Sequence, residues 1–367
     1  MKKLFAIVFL ASLGTAISAQ EIPAAGAPPP VQDPSKLPHV VIVSMGGTIA
    51  SRAADRMNLT DYGGKGVPGV SPADWLHDLP ELNNLARITT VDLRSPPDGP
   101  GESFDDTLRA ATKLNEIVKD PTVDGVVVTH GTSTMAETAY FMDLVVKTDK
   151  PVVFTGSQRP WTGISGDGPL NLYDAVHVAA TPAAAGKGVL HCMNQYINTA
   201  RDVTKTIGYR VQTFKGVDVG AIGFADPDKV VFYREPTRKH TTGSAFAGMD
   251  FKTLPMVEVV YSYIGAPGYF IDDAVAHGAK GIVVDGTGPG HLTPSQTDAV
   301  KRAQAKGVVV VITGRVGSGR VQATQHNMDA QLVNGDNLPP EKARILLALA
   351  LTKTHDWKQV KTYFDTY

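Results

Sequence analysis

Hydrophobic residues in this chain gather in short runs rather than in strict alternation with polar ones. From residue 39 onward, Val- and Ile-rich runs at 40–43, 126–129, 152–155 and 189–193 are separated by longer stretches of mixed polarity. A run without polar alternation reads as a strand covered on both faces, so a parallel sheet is predicted. Helices are predicted over 104–118 and 135–147. In the second, Met135, Ala139, Met142 and Val146 recur at three- and four-residue steps, one stripe facing a sheet, which reads as core packing. A more polar stretch over 226–254, carrying Pro227, Pro236 and Arg238-Lys239-His240, interrupts the rhythm and reads as a connection between domains. Beyond it, strands at 257–261, 281–284 and 308–312 alternate with helices at 271–277 and 294–306, and a helix over 341–354 follows. A second, smaller unit of the same class is expected there.

The first 38 residues have a different character. Lys2 and Lys3 precede an apolar run over 4–13, and small residues close on Ile17-Ser18-Ala19, the pattern of a signal peptide over 1–19. The run is shorter than the roughly 20 apolar residues that cross a bilayer, and Pro23 and Pro28-Pro29-Pro30 follow it, which disfavours a membrane-spanning helix. A periplasmic or secreted protein is expected, with no membrane contact after signal cleavage. Residues 20–38 are rich in Pro and Ala and too poor in large apolar side chains to fold alone, so they form a flexible tether.

Composition narrows the partners. Hydrophobic residues make up 43% of the 367, charged residues 19%, and the net charge is -1. A nucleic acid or an anionic membrane would favour a basic surface, and neither is expected as a partner. The single cysteine, Cys192, excludes an internal disulfide, and its apolar setting between Val189, Leu190 and Met193 reads as a buried structural thiol.

Several familiar chemical signals are absent from the sequence: the G-x-S-x-G elbow, the P-loop and the H-E-x-x-H zinc helix. The run Gly64-Lys65-Gly66-Val67-Pro68-Gly69 matches G-x-G-x-x-G, but no strand precedes it and Pro68 breaks the helix that should follow. The ten histidines show no metal-ligand spacing.

Two strand ends stand out instead, Ser44-Met45-Gly46-Gly47-Thr48-Ile49-Ala50 and Thr129-His130-Gly131-Thr132-Ser133-Thr134 with Glu137. Both put hydroxyls just past the carboxyl end of a strand, where open α/β sheets bind ligands. Glycines there let the backbone approach a substrate and turn N–H groups on a developing oxyanion. Each motif reads equally well as a tight strand-to-helix turn, with Ser133 or Thr134 as an N-cap and Glu137 completing a capping arrangement. A hydroxyl nucleophile also needs a base, and a lysine of lowered pKa is one that suits. Lys205, in the polar segment Ala200-Arg201-Asp202-Val203-Thr204-Lys205-Thr206, is the candidate, against the alternative of a solvated lysine.

These segments, with Thr138-Ala139-Tyr140-Phe141, Asp167-Gly168-Pro169-Leu170-Asn171-Leu172-Tyr173, Gly188-Val189-Leu190 and Pro340-Glu341-Lys342-Ala343-Arg344, resemble the type II L-asparaginases, the exported bacterial branch of the asparaginase and glutaminase-asparaginase family. The resemblance runs from about residue 39 to residue 367. It implies a two-domain α/β fold: a larger N-terminal flavodoxin-like parallel-sheet domain over 39–235, a linker over 236–254 and a smaller C-terminal α/β domain over 255–367. It further implies no cofactor, a small-molecule amide substrate, and a homotetramer whose sites lie at subunit interfaces. The implied reaction is hydrolysis of the side-chain amide of L-asparagine, or of L-glutamine, to the acid and ammonia through an acyl-enzyme. By position, Thr48 corresponds to the nucleophile, Thr132 to the second catalytic threonine and Lys205 to the lysine that deprotonates it. Ser95 corresponds to the serine that holds the substrate's α-carboxylate, and Tyr62 is the tyrosine available in a closing loop over 52–69.

The departures from the family pattern concern substrate choice. Ser133 stands where an aspartate usually follows the second threonine, and Pro96 where a glutamine usually follows the carboxylate-binding serine. The C-terminal domain usually lends an asparagine and a glutamate to a neighbouring site, but the corresponding stretches, Tyr263-Ile264-Gly265-Ala266 and 321–326, show neither. The reaction type is therefore expected to be kept while the amide differs, and a larger or N-blocked amide is the alternative substrate, because a free ammonium would find no carboxylate. A periplasmic binding protein also has two α/β domains behind a signal peptide, but it needs no pair of threonine motifs with a lysine.

Overall fold

The computed structural model describes residues 33–64, 66–94 and 103–367. The signal peptide and most of the tether, together with Ser95 and Pro96, lie outside the described residues. In chain order the N-terminal part forms β1 (His39–Ser44), α1 (Pro72–Asp78), β2 (Arg87–Asp92), α2 (Phe104–Ile117), β3 (Gly125–Thr129), α3 (Met135–Val145), β4 (Val152–Thr155), α4 (Gly168–Ala179) and β5 (Val189–Met193). These five strands are parallel and lie in the order β2-β1-β3-β4-β5, the flavodoxin-like arrangement.

The apolar runs behave as their pattern predicts. Val40 and Ile42 face α1 and α4, while Val41 and Val43 face α2 and α3, and all four are buried because successive side chains leave opposite faces of a sheet covered on both. Cys192 is wholly buried among the first of these sets, and burial pushes its thiol pKa up, as suits a structural thiol. The helices start on local signals: Ser71 opens α1 and Ser103 opens α2, each with an aspartate three residues on that completes a capping box.

The parallel sheet carries an antiparallel extension that its pattern of runs does not announce. Beyond β5 the chain turns through Asn194 and Gln195, both at positive φ, into β6 (Tyr196–Thr199), which runs antiparallel to β5. This is the geometry of a two-residue hairpin loop, but without the glycine that usually advertises one. The segments β7 (Val203–Lys205) and β8 (Phe214–Gly216) form a separate antiparallel ribbon, while β9 (Gly223–Ala225) and β10 (Val230–Phe232) extend the main sheet past β6.

The C-terminal part forms β11 (Val257–Tyr261), α5 (Tyr269–Ala276), β12 (Gly281–Gly286), α6 (Pro294–Ala305), β13 (Val309–Gly314), α7 (Gln325–Asp329), β14 (Val333–Asn334), α8 (Pro340–Leu351) and α9 (Trp357–Thr366). Its four strands make a smaller parallel sheet in sequence order. Helix α8 is buried on nearly every side because it packs on this sheet and also on α3. One hydrophobic core therefore runs from Val43 and Val128 through α3 and α8 to Val283 and Val311. The connecting stretch is also anchored: Phe246 is fully buried against Tyr363 and Tyr367.

Candidate active site

At β1 and β3 the order of the main sheet reverses, and the two strands send their chains to opposite faces, β1 toward α1 and β3 toward α3. Such a switch point, at the carboxyl ends of the two strands, is where open α/β sheets form a crevice for ligands. Both threonine motifs lie there. The strands stay joined to their ends, with Ser44 level with Thr129 and the Met45 N–H donating to the Thr129 carbonyl at 2.9 Å.

The glycines bring the two motifs together. Gly47 has φ 85° and ψ -172°, and a Cβ there would lie 2.4 Å from Gly131 Cα. Both the conformation and the contact exclude any other residue. The touching backbones deliver Thr48 and Thr132, each the residue after its glycine, to adjoining positions. Thr48 begins a single 3-10 turn, Thr48–Ala50, held down by buried Ile49 and Ala50.

Each threonine hydroxyl has a polar partner brought from elsewhere. Thr48 Oγ1 lies 2.8 Å from the Tyr62 hydroxyl. The loop that carries Tyr62 is held by its Gly63 N–H on the Arg52 carbonyl at 2.9 Å, and it rests on the 161–164 segment through Trp161 N to the Ser51 carbonyl and Ile164 N to the Arg56 carbonyl. Thr132 is buried, and Lys205 Nζ donates to its Oγ1 at 2.8 Å. Lys205 comes from the β7-β8 ribbon, 73 residues along the chain.

The capping alternative for the second motif fails. Thr134 occupies the N-cap position of α3 but makes no side-chain capping hydrogen bond, and Ser133 is exposed. Ser133 is thus a free-standing hydroxyl beside Thr132 rather than a helix end-piece. His130 is buried beneath the motif, its Nδ1 2.8 Å from the Gly131 carbonyl.

Ser95 lies outside the described residues, but its neighbour is fixed. Arg94 donates to Asp92 through Nε at 2.9 Å and Nη2 at 2.6 Å, and to the Val70 carbonyl at 3.1 Å. On the far side of the crevice Asp167, from a segment singled out in the sequence, accepts the backbone N–H groups of Gln158 and Arg159, each at 2.9 Å. It shapes the turn after β4, where Gly156 lies against His130 and Thr132. The C-terminal stretches that lack the family's asparagine and glutamate are mostly exposed, with Ile264 at 97%.

One nearby residue was given no role by the sequence, although its segment carries part of the resemblance. Lys342, at the start of α8, is wholly buried and donates to the carbonyls of Ala200, Arg201 and Val203, in the segment that leads into Lys205.

Comparison with known proteins places both parts of the chain in one family. The family model "Asparaginase, N-terminal" matches residues 39–238, and "Glutaminase/Asparaginase C-terminal domain" matches residues 256–364. The chain is 41% identical to the L-asparaginase 2 of Bacillus subtilis over 334 residues, 90% of this chain and 87% of the relative. It is 38% identical to the probable periplasmic L-asparaginase of Haemophilus influenzae over 340 residues, 92% of this chain and 95% of the relative. Among solved structures, a probable cytoplasmic L-asparaginase from Campylobacter jejuni superposes with a TM-score of 0.85 at 37% identity, covering 90% of this chain and 100% of the other.

Proposed function

This chain belongs to the asparaginase family, and from that premise we propose that it hydrolyses the side-chain amide of L-asparagine, or of L-glutamine, to the acid and ammonia. The observation that carries the reading is the pairing at the crevice: two threonine hydroxyls on touching backbones, each 2.8 Å from a group that can exchange a proton with it. Thr48 Oγ adds to the amide carbonyl carbon as its proton passes to the Tyr62 oxygen and the Tyr62 hydroxyl gives its own proton to the amide nitrogen. The tetrahedral intermediate collapses to an ester on Thr48 as the nitrogen departs, protonated, as ammonia. Water then cleaves the ester. Thr132 serves this chemistry with Lys205, which donates to it as the ammonium and accepts its proton as the neutral amine.

A second substrate reading is favoured by Ser133. It is exposed at the position where the family keeps a carboxylate, so a free α-ammonium would lack its countercharge and an N-blocked or larger amide would suffer less. Export belongs to the same proposal, since residues 1–19 have signal-peptide character and one relative is named as periplasmic, although a solved neighbour is named as cytoplasmic. So does assembly as a homotetramer with sites between subunits, without any cofactor.

The test is ammonia release from asparagine, glutamine and N-acetylasparagine, run on a sample whose mass is measured by light scattering. Turnover of asparagine or glutamine by a four-chain species is expected. Release from the N-acetylated amide alone would select the second reading, and no release from any of the three would remove the enzyme reading.

A further inference from the structure

Lys205 stands on a ribbon that belongs to neither large sheet, so its alignment with Thr132 must come from what anchors that ribbon. We propose that Lys342 is the positioning residue of the candidate base, its ammonium fixing the 200–203 segment from the C-terminal domain so that Lys205 meets Thr132. The proposal rests on the amidohydrolase reading above and adds a dependence of the N-terminal site on its own subunit's second domain.

Lys342 Nζ lies 2.8 Å from the carbonyl oxygens of Ala200 and Arg201 and 2.5 Å from that of Val203. Three donors on one ammonium meet three acceptors, and Val203 is two residues before Lys205 on the same short strand. Ala200 and Arg201 belong to the turn where the chain leaves β6, and Val203 is the first residue of β7, so the ammonium ties that turn to the start of the ribbon. A second anchor works from the other strand of the ribbon: Phe214, level with Lys205, packs on the buried ring of His191 with centroids 4.3 Å apart.

The placement is hard to explain as packing alone. A lysine in the first turn of a helix opposes the helix dipole, and its complete burial adds a desolvation cost. A methionine would fill much the same volume on a helix whose other buried positions include Ala343, Leu346 and Leu347. What the lysine supplies beyond volume is a cation with three hydrogens aimed at a bend. Around it stand Glu341 on its own helix, Arg201 and Asp202 in the captured segment, Asp143 and Tyr140 on α3, and His191 on β5. Burial lowers the Lys342 pKa to about 8 and that of His191 to about 3, so at neutral pH the ammonium keeps its three donors beside a neutral ring.

The experiment compares wild type, Lys205→Met, Lys342→Met and Lys342→Gln, all full-length, by kcat, KM and the pH profile of kcat/KM. If Lys342 positions the base, both Lys342 variants lose kcat about tenfold or more while KM changes less than about threefold. The limb of the profile that reports the base should also move by about half a pH unit, a change that a loss of folded protein alone does not produce. The glutamine variant keeps two donors on a shorter stem, and it decides the matter if the methionine variant fails to fold. A folded variant of either kind with wild-type kcat and an unmoved limb overturns the proposal. Full activity in Lys205→Met would overturn the underlying reading instead, and the two failures are thereby told apart.

Discussion

The two halves of the candidate site are built on opposite principles. Thr48 finds its partner in a loop: Tyr62 is followed by Gly63, Gly64 and Gly66, all at positive φ with nothing near a would-be Cβ, and the loop is held mainly by scattered backbone hydrogen bonds. Thr132 finds its partner on a ribbon locked by a buried cation and a buried ring pair. Few buried contacts and open glycines mark a segment that opens at low cost, whereas buried charge-assisted hydrogen bonds mark one that moves only with the core. The contrast teaches a division of labour. On the proposed reaction, the tyrosine side is the one expected to open to substrate and the lysine side the one expected to hold its geometry.

The sharpest way to break that comparison is to remove the reacting groups from each side. Thr48→Ala, Thr132→Val and Lys205→Met are each expected to remain folded and to lose turnover by about a thousandfold or more, since each deletes a group from the bond-breaking apparatus. Tyr62→Phe removes one hydroxyl from the opening side and should cost less, about tenfold to a hundredfold in kcat. A loss in Tyr62→Phe equal to that in Lys205→Met in an ammonia-release assay would dissolve the distinction.

A smaller effect sharpens it at Ser133, which sits between the halves. Ser133→Asp would supply a carboxylate to an α-ammonium, and a hydrogen bond to a charged group contributes about 1.5 to 3 kcal/mol. At tenfold per 1.4 kcal/mol, KM for asparagine should fall about ten- to a hundredfold, with little change for the N-acetylated analogue. A rise in kcat at constant KM would mean that the aspartate acts on the Lys205 and Thr132 pair instead. Unchanged constants would end the substrate argument from this position.

The smallest effect concerns the buried side alone. Asp143 lies on α3 near Lys342, accepts the Val189 N–H at 2.7 Å, and burial pushes its pKa up to about 7. An unfolded chain gives up that proton near pH 4 and the folded one only near pH 7, so the folded state binds the extra proton in between. This group's contribution to stability is therefore greatest at acid pH and declines as pH rises from about 4 to about 7. Asp143→Asn keeps the oxygen for Val189 and should flatten that part of the melting-temperature profile by a few degrees. An identical slope in the variant would show that the proton is held elsewhere.

The sequence alone determined the central strands and both threonine motifs. Runs such as Val40 to Val43 are buried on both faces, so their continuous hydrophobicity had a single reading, and a glycine pair at a strand end has few uses besides close approach. It did not determine the edge: β2 reads Arg-Ile-Thr-Thr-Val-Asp with Arg87, Thr89, Thr90 and Asp92 exposed, and an edge strand need not look apolar. Nor did it reveal the antiparallel extension, since Asn194-Gln195 takes the two positive φ angles without the usual glycine. Lys205 could be partnered with Thr132 only through the family resemblance, because the ribbon that carries it has no periodicity to read. Lys342 was legible only in three dimensions. Its three acceptors lie 139 to 142 residues away, and a lysine becomes a buried clamp rather than a solvated side chain only once α8 has packed against α3 and closed the core above it.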